Sequence, residues 1–480
     1  MLPLVLAVLP ALAAAAVSSS SHSHSHASSA VNAAATTQSS SGAAGRTTEA
    51  GEATITNANE ECTYYSYPPV TAIIGTYPAI WQTADVSQTG ISDYDKSLFN
   101  ALNSTIPDIA PRGTRAGDFT GVVYDGNADP DCWWTYNRCT TPKLAGLDED
   151  VTKCNQPNSW GFTLDDGPNC SHNAYFDYLQ SIEQKATLFY IGSNVLDWPL
   201  EAQRGLADGH EICAHTWSHP YMTSLTNEQA FAELYFSKKA IKDVLGITVR
   251  CWRPPYGDVD DRIRYIAKAL DMQTIIWNED TFDYDWTTLG MATVRKNYDA
   301  ILAAQKAGNF SEEGIIVLTH EIDAGTMELS QEYLPQMLNQ FTGGVMPVAV
   351  CMNNTEPYVE TTDYVYPNYA QWMAGTHSVS LAAPTAVGTA GEELVFGSSV
   401  ATATSSPARV STTQATSAAS AAQATSGAQS AGVSTSTIAA SAANAKSTTS
   451  TITSGASEKG VGAAAAAVGV AAMGIVLATF

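Results

Sequence analysis

The chain is poor in basic residues. Its 480 residues include 23 lysines and arginines against 47 aspartates and glutamates, which leaves a formal net charge of −24. A surface with this charge repels polyanions, so the composition excludes nucleic acid as a partner.

The chain also has no C-x-x-C pair, the spacing typical of metal thiolate sites. Its cysteines are even in number, and both chain ends carry the export signals described below, so disulfides in an oxidising compartment are predicted. The sequence leaves their pairing open. The eight cysteines are Cys62, Cys132, Cys139, Cys154, Cys170, Cys213, Cys251 and Cys351.

Long apolar runs are confined to the two ends of the chain. Residues 1–17 form a short apolar run that ends in small residues, which predicts a secretory signal peptide, although the usual basic leading region is missing. The run is too short to cross a membrane.

Residues 457–480 end in a second apolar stretch, preceded by a short polar spacer and the small residues at 454–456. This pattern predicts a glycolipid (GPI) anchor signal that is removed on attachment at Ser454. Attachment at Asn444 and a plain tail-anchor helix remain alternatives. We therefore expect a secreted protein on the outer face of the cell membrane and in the cell wall.

Charged residues are scarce in two further segments. Residues 18–60 are rich in Ser, Ala and Thr and are predicted to be disordered, and residues 375–456 have the composition of an O-glycosylated stalk. N-glycosylation is predicted at three sequons, whereas a fourth, Asn169, adjoins a pair of aspartates and is not expected to be used. The three are Asn103, Asn309 and Asn353.

The globular part lies between these segments. Residues 61–154 have weak periodicity and many aromatic, Gly, Pro and Cys residues, which indicates an irregular, disulfide-tied accessory region. Residues 155–352 alternate short apolar runs with helical segments, and the longest of these has a capping box at Thr226 and Gln229 and a stop at Gly246. This alternation predicts an α/β fold, a distorted (β/α) barrel of about seven parallel strands. The predicted strands are WGFTL, TLFYIG, HEICAH, VRCW, TIIW, GIIVLTH and MPVAVCM.

Polar motifs follow five of these strands, at their C-terminal ends, where barrel enzymes assemble their sites. They read DDGP, HTWSH, RPPYGD, EDTFDYDW and TH. His215 and His219 have a spacing that lets two imidazoles share one ion, and an aspartate would complete a catalytic metal set with open positions. We assign Asp166 as that ligand and Asp165 as the base. Because neighbours on a strand point to opposite faces, the Gly-Pro turn that follows must redirect the chain.

Other polar residues of these motifs have a structural and a catalytic interpretation. His320 is either a satisfied structural histidine or the general acid, oriented by Asp283 or Asp285. Arg253 is either a surface cation or the partner of Asp165. The double proline stiffens the turn that carries Tyr256, whose N–H would serve as an oxyanion donor. Three apolar or aromatic residues fill the core or line a substrate pocket: Tyr284, Trp286 and Leu318.

Together these motifs resemble the polysaccharide deacetylase family, the NodB-homology members of carbohydrate esterase family four, and are most similar to its fungal chitin deacetylases. The resemblance covers about residues 155–350. The family motif T-F-D-D-G-P appears as TLDDGP, with Leu164 in place of Phe; H-S/T-x-x-H as HTWSH; R-x-P-Y as RPPY; and L-x-H as LTH. The fourth motif fits DTFDY, but a second Asp-Trp pair follows it. The resemblance therefore leaves open which of Asp280, Asp283 and Asp285 tunes His320.

The resemblance implies an enzyme that removes N-acetyl groups from N-acetylglucosamine units of chitin, giving chitosan and acetate in the cell wall. It implies Asp165 as base, His320 as acid, the Tyr256 amide as oxyanion donor, and a divalent metal, Zn or Co, on three ligands. These are Asp166, His215 and His219. We expect a monomer. An acetylxylan or other polysaccharide esterase, and a non-catalytic polysaccharide-binding wall protein, are the alternatives.

Overall fold

The computed structural model describes residues 46–361 and 364–381. The predicted signal peptide, most of the stalk, Ser454 and the anchor signal lie outside the described residues. Within the described ranges, no helix has the length and apolar character that crossing a membrane requires.

Eight short strands, all paired in parallel, form one sheet. They are β1 (Trp160–Gly167), β2 (Thr187–Tyr190), β3 (Glu211–Ala214), β4 (Cys251–Trp252), β5 (Gln273–Thr274), β6 (Glu279–Asp280), β7 (Ile315–Leu318) and β8 (Val345–Met346).

Seven strands follow the order β5-β4-β3-β2-β1-β7-β6, and β8 pairs with the first residues of β1 beside this path. The sheet is curled, and no ladder joins β5 to β6 among the described residues, so the barrel is open on that side. The prediction of a distorted parallel (β/α) barrel is confirmed. The central strands β1, β2, β3 and β7 are almost entirely buried on both faces because helices and loops cover both sides.

Helices lie before, between and after the strands. Those before β1 are α1 (Glu49–Glu52), α2 (Ala58–Glu61), α3 (Pro68–Ile73), α4 (Asp93–Asn103) and α5 (Trp134–Asn137). The others are α6 (Asn173–Ser181), α7 (Gly192–Asp197), α8 (Pro199–Ala207), α9 (Asn227–Leu245), α10 (Asp261–Ala269), α11 (Trp286–Leu289), α12 (Met291–Lys306), α13 (Ala324–Gln340), α14 (Val348–Cys351) and α15 (Tyr369–Met373). Four 3-10 turns are Ile74–Thr76, Met222–Ser224, Pro255–Gly257 and Asp283–Asp285.

The longest helix, α9, has the predicted ends. Thr226 and Gln229 exchange the two hydrogen bonds of a capping box, and Gly246 ends the helix in the left-handed conformation. Most of its side chains are buried, so α9 is held by packing against the sheet as well as by its caps.

The prediction of the last strand is wrong for most of its residues. The segment MPVAVCM contributes only the end of β8, and its valines form α14. The reason is a local set of acceptors, because the Val348 N–H donates to the Thr187 hydroxyl and the Ala349 N–H donates to the buried Glu211 carboxylate. Side chains, rather than a neighbouring strand, satisfy these donors.

All eight cysteines form disulfides, as predicted. The first bond joins the accessory region to the loop after β1, and the second closes a short loop within that region. The third joins the segment before β1 to α14, after β8, and the fourth joins β3 to β4. The pairs are Cys62–Cys170, Cys132–Cys139, Cys154–Cys351 and Cys213–Cys251.

The prediction of disorder up to residue 60 is wrong for residues 46–60, which contain α1 and most of α2. Arg46 pairs with the buried Glu52 and donates to the carbonyl of Glu61. Glu61 in turn accepts from the backbone N–H of Asn173 in the barrel. Composition alone does not reveal this, because the contacts join residues distant in sequence.

The start of the predicted stalk also has contacts with the folded part. Ser380 pairs with Val365 through a two-residue bridge, so residues 375–381 include ordered backbone.

Candidate active site

The end of β1 carries two aspartates whose side chains converge. Asp165 pairs with Phe189 and Gly167 pairs with Tyr190, so Asp166 is an extra residue in the ladder and has a φ of 71°. A bulge of this kind interrupts the alternation of side chains along a strand. The conformation of Asp166 itself, rather than the turn after it, therefore brings the second carboxylate to the side occupied by the first.

The two histidines of HTWSH face this bulge. His215 Nδ1 donates to the Arg253 carbonyl at 2.8 Å, which leaves Nε2 as the nitrogen directed at the aspartates. Thr216 and His219 adopt left-handed φ values of 64° and 56°, so the chain turns tightly enough for the two imidazole centres to lie 4.9 Å apart.

These residues fit a divalent metal. Oδ1 of Asp166 lies 3.3 Å from His215 Nε2 and 3.1 Å from His219 Nε2. This buried oxygen faces both imidazoles, and each of the three side chains offers one ligand atom to the same place, all within 4.8 Å of one another. Burial opposes ionisation of Asp166, but the neighbouring imidazoles outweigh it and hold the pKa of that carboxyl well below its usual range.

Two other groups of potential ligands contain cysteines that are already paired in disulfides. In the part of the chain that the structure describes, the Asp-His-His group is therefore the one composed entirely of available ligands. An aspartate with two imidazoles suits Zn²⁺ or Co²⁺ and leaves positions for water and substrate.

Arg253 is fully buried and holds Asp165. Its Nη1 donates to Asp165 Oδ1 at 2.7 Å and to the Thr163 hydroxyl at 2.9 Å. The guanidinium lies 4.1 Å above the ring of Phe189 and 5.6 Å from that of Trp277. Arg253 is therefore not a surface cation, and its charge is paired with the Asp165 carboxylate.

Asp283 is the aspartate that contacts His320. Its Oδ1 lies 2.7 Å from His320 Nδ1, and its Oδ2 accepts the backbone N–H of His320 at 2.8 Å. Asp280 instead accepts the N–H of Phe282 and shapes the turn. Burial of the imidazole opposes protonation, but the charge and hydrogen bond of Asp283 outweigh it and raise the pKa of His320 to about 9.

We expect Asp283→Asn to move the alkaline limb of the activity profile to lower pH. A general acid must be protonated, so activity is lost as pH rises through the pKa of His320, and the substitution removes the charge that raises it. A cation on Asp166 would lower the starting value of about 9, so the test is the shift between the two proteins in kcat/KM against pH. Asp285→Asn is the matched control. An alkaline limb at the same pH in the wild type and both variants would contradict the assignment of Asp283 as the residue that raises the pKa of His320.

Two tyrosines border the site. Tyr256 has a left-handed φ of 58°, its ring stacks on Tyr221 at 4.1 Å, and its edge meets His219 at 4.6 Å. Tyr284 meets the ring of His320 at 5.1 Å. Both tyrosines are 43% exposed, so their faces are accessible beside buried polar groups.

The other two predicted pocket residues are held in the fold. Trp286 donates its indole N–H to Asp323, which caps α13, and its ring packs against Gly325. Leu318 ends β7 and is buried. Their contacts place both residues near the His320 loop.

Sequence reasoning missed Glu233, a buried residue of α9. Its Oε2 accepts the N–H groups of Trp217 and Ser218, and its Oε1 accepts the Ser218 hydroxyl and the N–H of Ala84. This carboxylate therefore holds the loop between the two histidines. A glutamate in a helix gives no sequence signal for such a role.

We expect Glu233→Gln to weaken metal binding by about 10–100-fold, the cost of losing a group that orients ligands. In either orientation the new amide N–H₂ faces backbone N–H donors, so the loop must move. Equilibrium dialysis against Zn²⁺ measures the effect. Glu228→Gln, on the first turn of the same helix, is the control, and unchanged affinity in Glu233→Gln would contradict the role.

The three predicted glycosylation sites are all exposed: Asn103, Asn309 and Asn353. Asn169 is different, because its side-chain N–H₂ donates to the Ile322 carbonyl and its oxygen accepts from Ser171. A side chain engaged in this way is a poor acceptor for a glycan.

The chain is similar to known proteins. The polysaccharide deacetylase family model matches residues 152–275, which contain both aspartates, both histidines and Arg253. Chitin deacetylase 2 of Cryptococcus neoformans var. grubii is 48% identical over 341 residues, 70% of this chain and 74% of the relative. A chitin deacetylase of Amylomyces rouxii is 44% identical over 328 residues, 67% of this chain and 76% of the relative. With this similarity over most of the relatives' length, the chain belongs to the polysaccharide deacetylase family.

Proposed function

We propose that this protein is a chitin deacetylase, which hydrolyses the N-acetyl groups of N-acetylglucosamine units in chitin and so modifies the fungal cell wall. The observation that carries the proposal is the convergence of Asp166, His215 and His219 beside the separate carboxylate Asp165. The similarity to proteins named chitin deacetylases supports the choice of substrate.

A divalent cation held by Asp166, His215 and His219 would supply Lewis-acid chemistry for attack on the amide. Asp165, held in place by Arg253, takes a proton from the attacking water. His320, protonated beside Asp283, donates a proton to the departing amine nitrogen, after which acetate and a glucosamine unit leave.

Two further groups handle the amide and the sugar. The backbone N–H of Tyr256 donates to the carbonyl oxygen as that oxygen becomes negative. The exposed rings of Tyr256 and Tyr284 offer apolar faces for a sugar. Leu318 and Trp286 would line the pocket for the acetyl methyl group.

The finer localisation is also part of the proposal. The four disulfides fit an exported protein, and the predicted signals add secretion, N-glycosylation at the three exposed sequons and a GPI anchor at Ser454. The protein acts as a monomer on chitin at the outer cell surface.

The test is acetate release from chitin oligomers of graded length, with acetylxylan as the competing substrate. We expect release from the chitin oligomers, loss on prolonged chelation, and recovery when Zn²⁺ or Co²⁺ is restored. Release from acetylxylan alone would favour the esterase alternative. Chitin binding without turnover in the presence of metal would favour a non-catalytic wall protein.

A further inference from the structure

A loop of the accessory region is fixed against the active site. The disulfide Cys132–Cys139 closes it, and Trp133 Nε1 and the Thr135 hydroxyl donate to one oxygen of Asp258. The other oxygen of Asp258 accepts the N–H and hydroxyl of Thr223 at 2.8 Å each. The loop is thus anchored two residues from Tyr256, in the turn that follows β4.

Trp134, in the same loop, positions Arg138. The indole of Trp134 packs so closely on Gly257 that a Cβ there would collide with it, and it meets Trp277 at 5.0 Å. The Arg138 guanidinium lies 3.8 Å above the Trp134 ring. Arg138 ends α5 with a left-handed φ of 55°, which aims its side chain back across that ring.

Two of the rings that interact with the charge of Arg138 contact residues of the site. The charge of Arg138 interacts with Asp280, Tyr284 and Tyr221. Tyr284 contacts His320, and Tyr221 stacks on Tyr256. Arg138 is exposed and forms no ion pair within the described ranges, so its guanidinium donors are available to a ligand at the rim.

We propose that Arg138 is a specificity-determining residue that binds the sugar next to the reacting unit and selects an acetylated neighbour. A guanidinium donates to the carbonyl and hydroxyl oxygens of N-acetylglucosamine and stays charged at any working pH. Below the pKa of its amine, a glucosamine unit in the same place carries an ammonium, which Arg138 repels. The inference rests on the proposed function. It adds that deacetylation of one sugar unit slows deacetylation of the adjacent unit.

The test compares fully acetylated chitopentaose with pentamers that carry one glucosamine at a known position. We expect the wild type to prefer the acetylated pentamer, and Arg138→Gln to reduce that preference in kcat/KM by about tenfold through loss of the repulsion. Arg138→Lys keeps the positive charge but loses the planar guanidinium and its paired donors. It should therefore keep the preference for the acetylated pentamer while raising KM. Added salt should weaken the preference of the wild type and leave that of Arg138→Gln unchanged.

Arg250→Gln is the matched control, because Arg250 is an exposed arginine paired with Asp271 before β4, away from the rim. Equal preference in the wild type, Arg138→Gln and the control would overturn the role of Arg138 and leave the deacetylase intact. Absence of acetate release from both pentamers in the wild type would instead overturn the proposed function. Thermal melting verifies that each variant is folded.

Discussion

Asp166→Ala is expected to lower acetate release from chitin oligomers by about a thousandfold or more, because metal-ion catalysis supplies several kcal/mol of transition-state stabilisation. The substitution removes one of the three proposed ligand groups, and Oδ1 of Asp166 is the atom that both imidazoles face. Metal affinity should fall together with the rate. Equilibrium dialysis for bound Zn²⁺ and a coupled acetate assay measure the two losses.

The fold should survive this change. Asp166 is a bulged residue that lies outside the ladder, and its Oδ1 has no hydrogen bond among the described residues to lose. Asp148→Ala, which removes a surface carboxylate paired with Lys268, is the control for a general effect of charge. A variant at position 166 that still binds one equivalent of metal and releases acetate would refute the metal site.

Asp165→Asn should lower kcat by about a hundredfold to ten-thousandfold, the usual contribution of a positioned general base. The amide keeps the size of the side chain, and its oxygen can still accept from Arg253, but it cannot take a proton from water. Metal affinity should change little, because the Asp165 carboxylate lies farther from His215 Nε2, at 3.8 Å, than that of Asp166.

The same change leaves Arg253 buried without a negative partner. Removing one member of a buried pair costs about 3–5 kcal/mol of stability, so the melting temperature should fall. Activity should therefore be measured at a temperature well below that of the melting transition. The two aspartates are thus distinguished by their readouts, with metal and rate lost at position 166 and rate alone lost at position 165. Loss of bound metal in Asp165→Asn would mean that the two roles are exchanged.

Local patterns predicted a large part of this molecule. Alternating apolar runs and helical segments predicted the parallel barrel, and the capping box predicted where α9 begins. The motifs at strand ends predicted which residues gather, because the carboxyl ends of parallel strands meet at one edge of a sheet. These signals are readable because each depends on residues close together in sequence.

Other features were not readable, and each has a physical cause. The valines of α14 have the composition of a strand, but Thr187 and Glu211 bind their N–H groups. Residues 46–60 have the composition of a disordered segment, but Arg46 and the buried glutamates join them to the barrel. In both cases contacts between distant residues outweigh local preference.

The sequence by itself determined the class of fold, the set of residues available for chemistry and the disulfide-bonded state of the cysteines, since composition and spacing carry that information. The tertiary structure alone decided the convergence of the two aspartates through the bulge at Asp166, the choice of Asp283 as the partner of His320, and the support of the histidine loop by Glu233. It also decided the cysteine pairing. Distances and directions between side chains arise only when the strands and helices pack, and acid–base and metal chemistry depend on those distances.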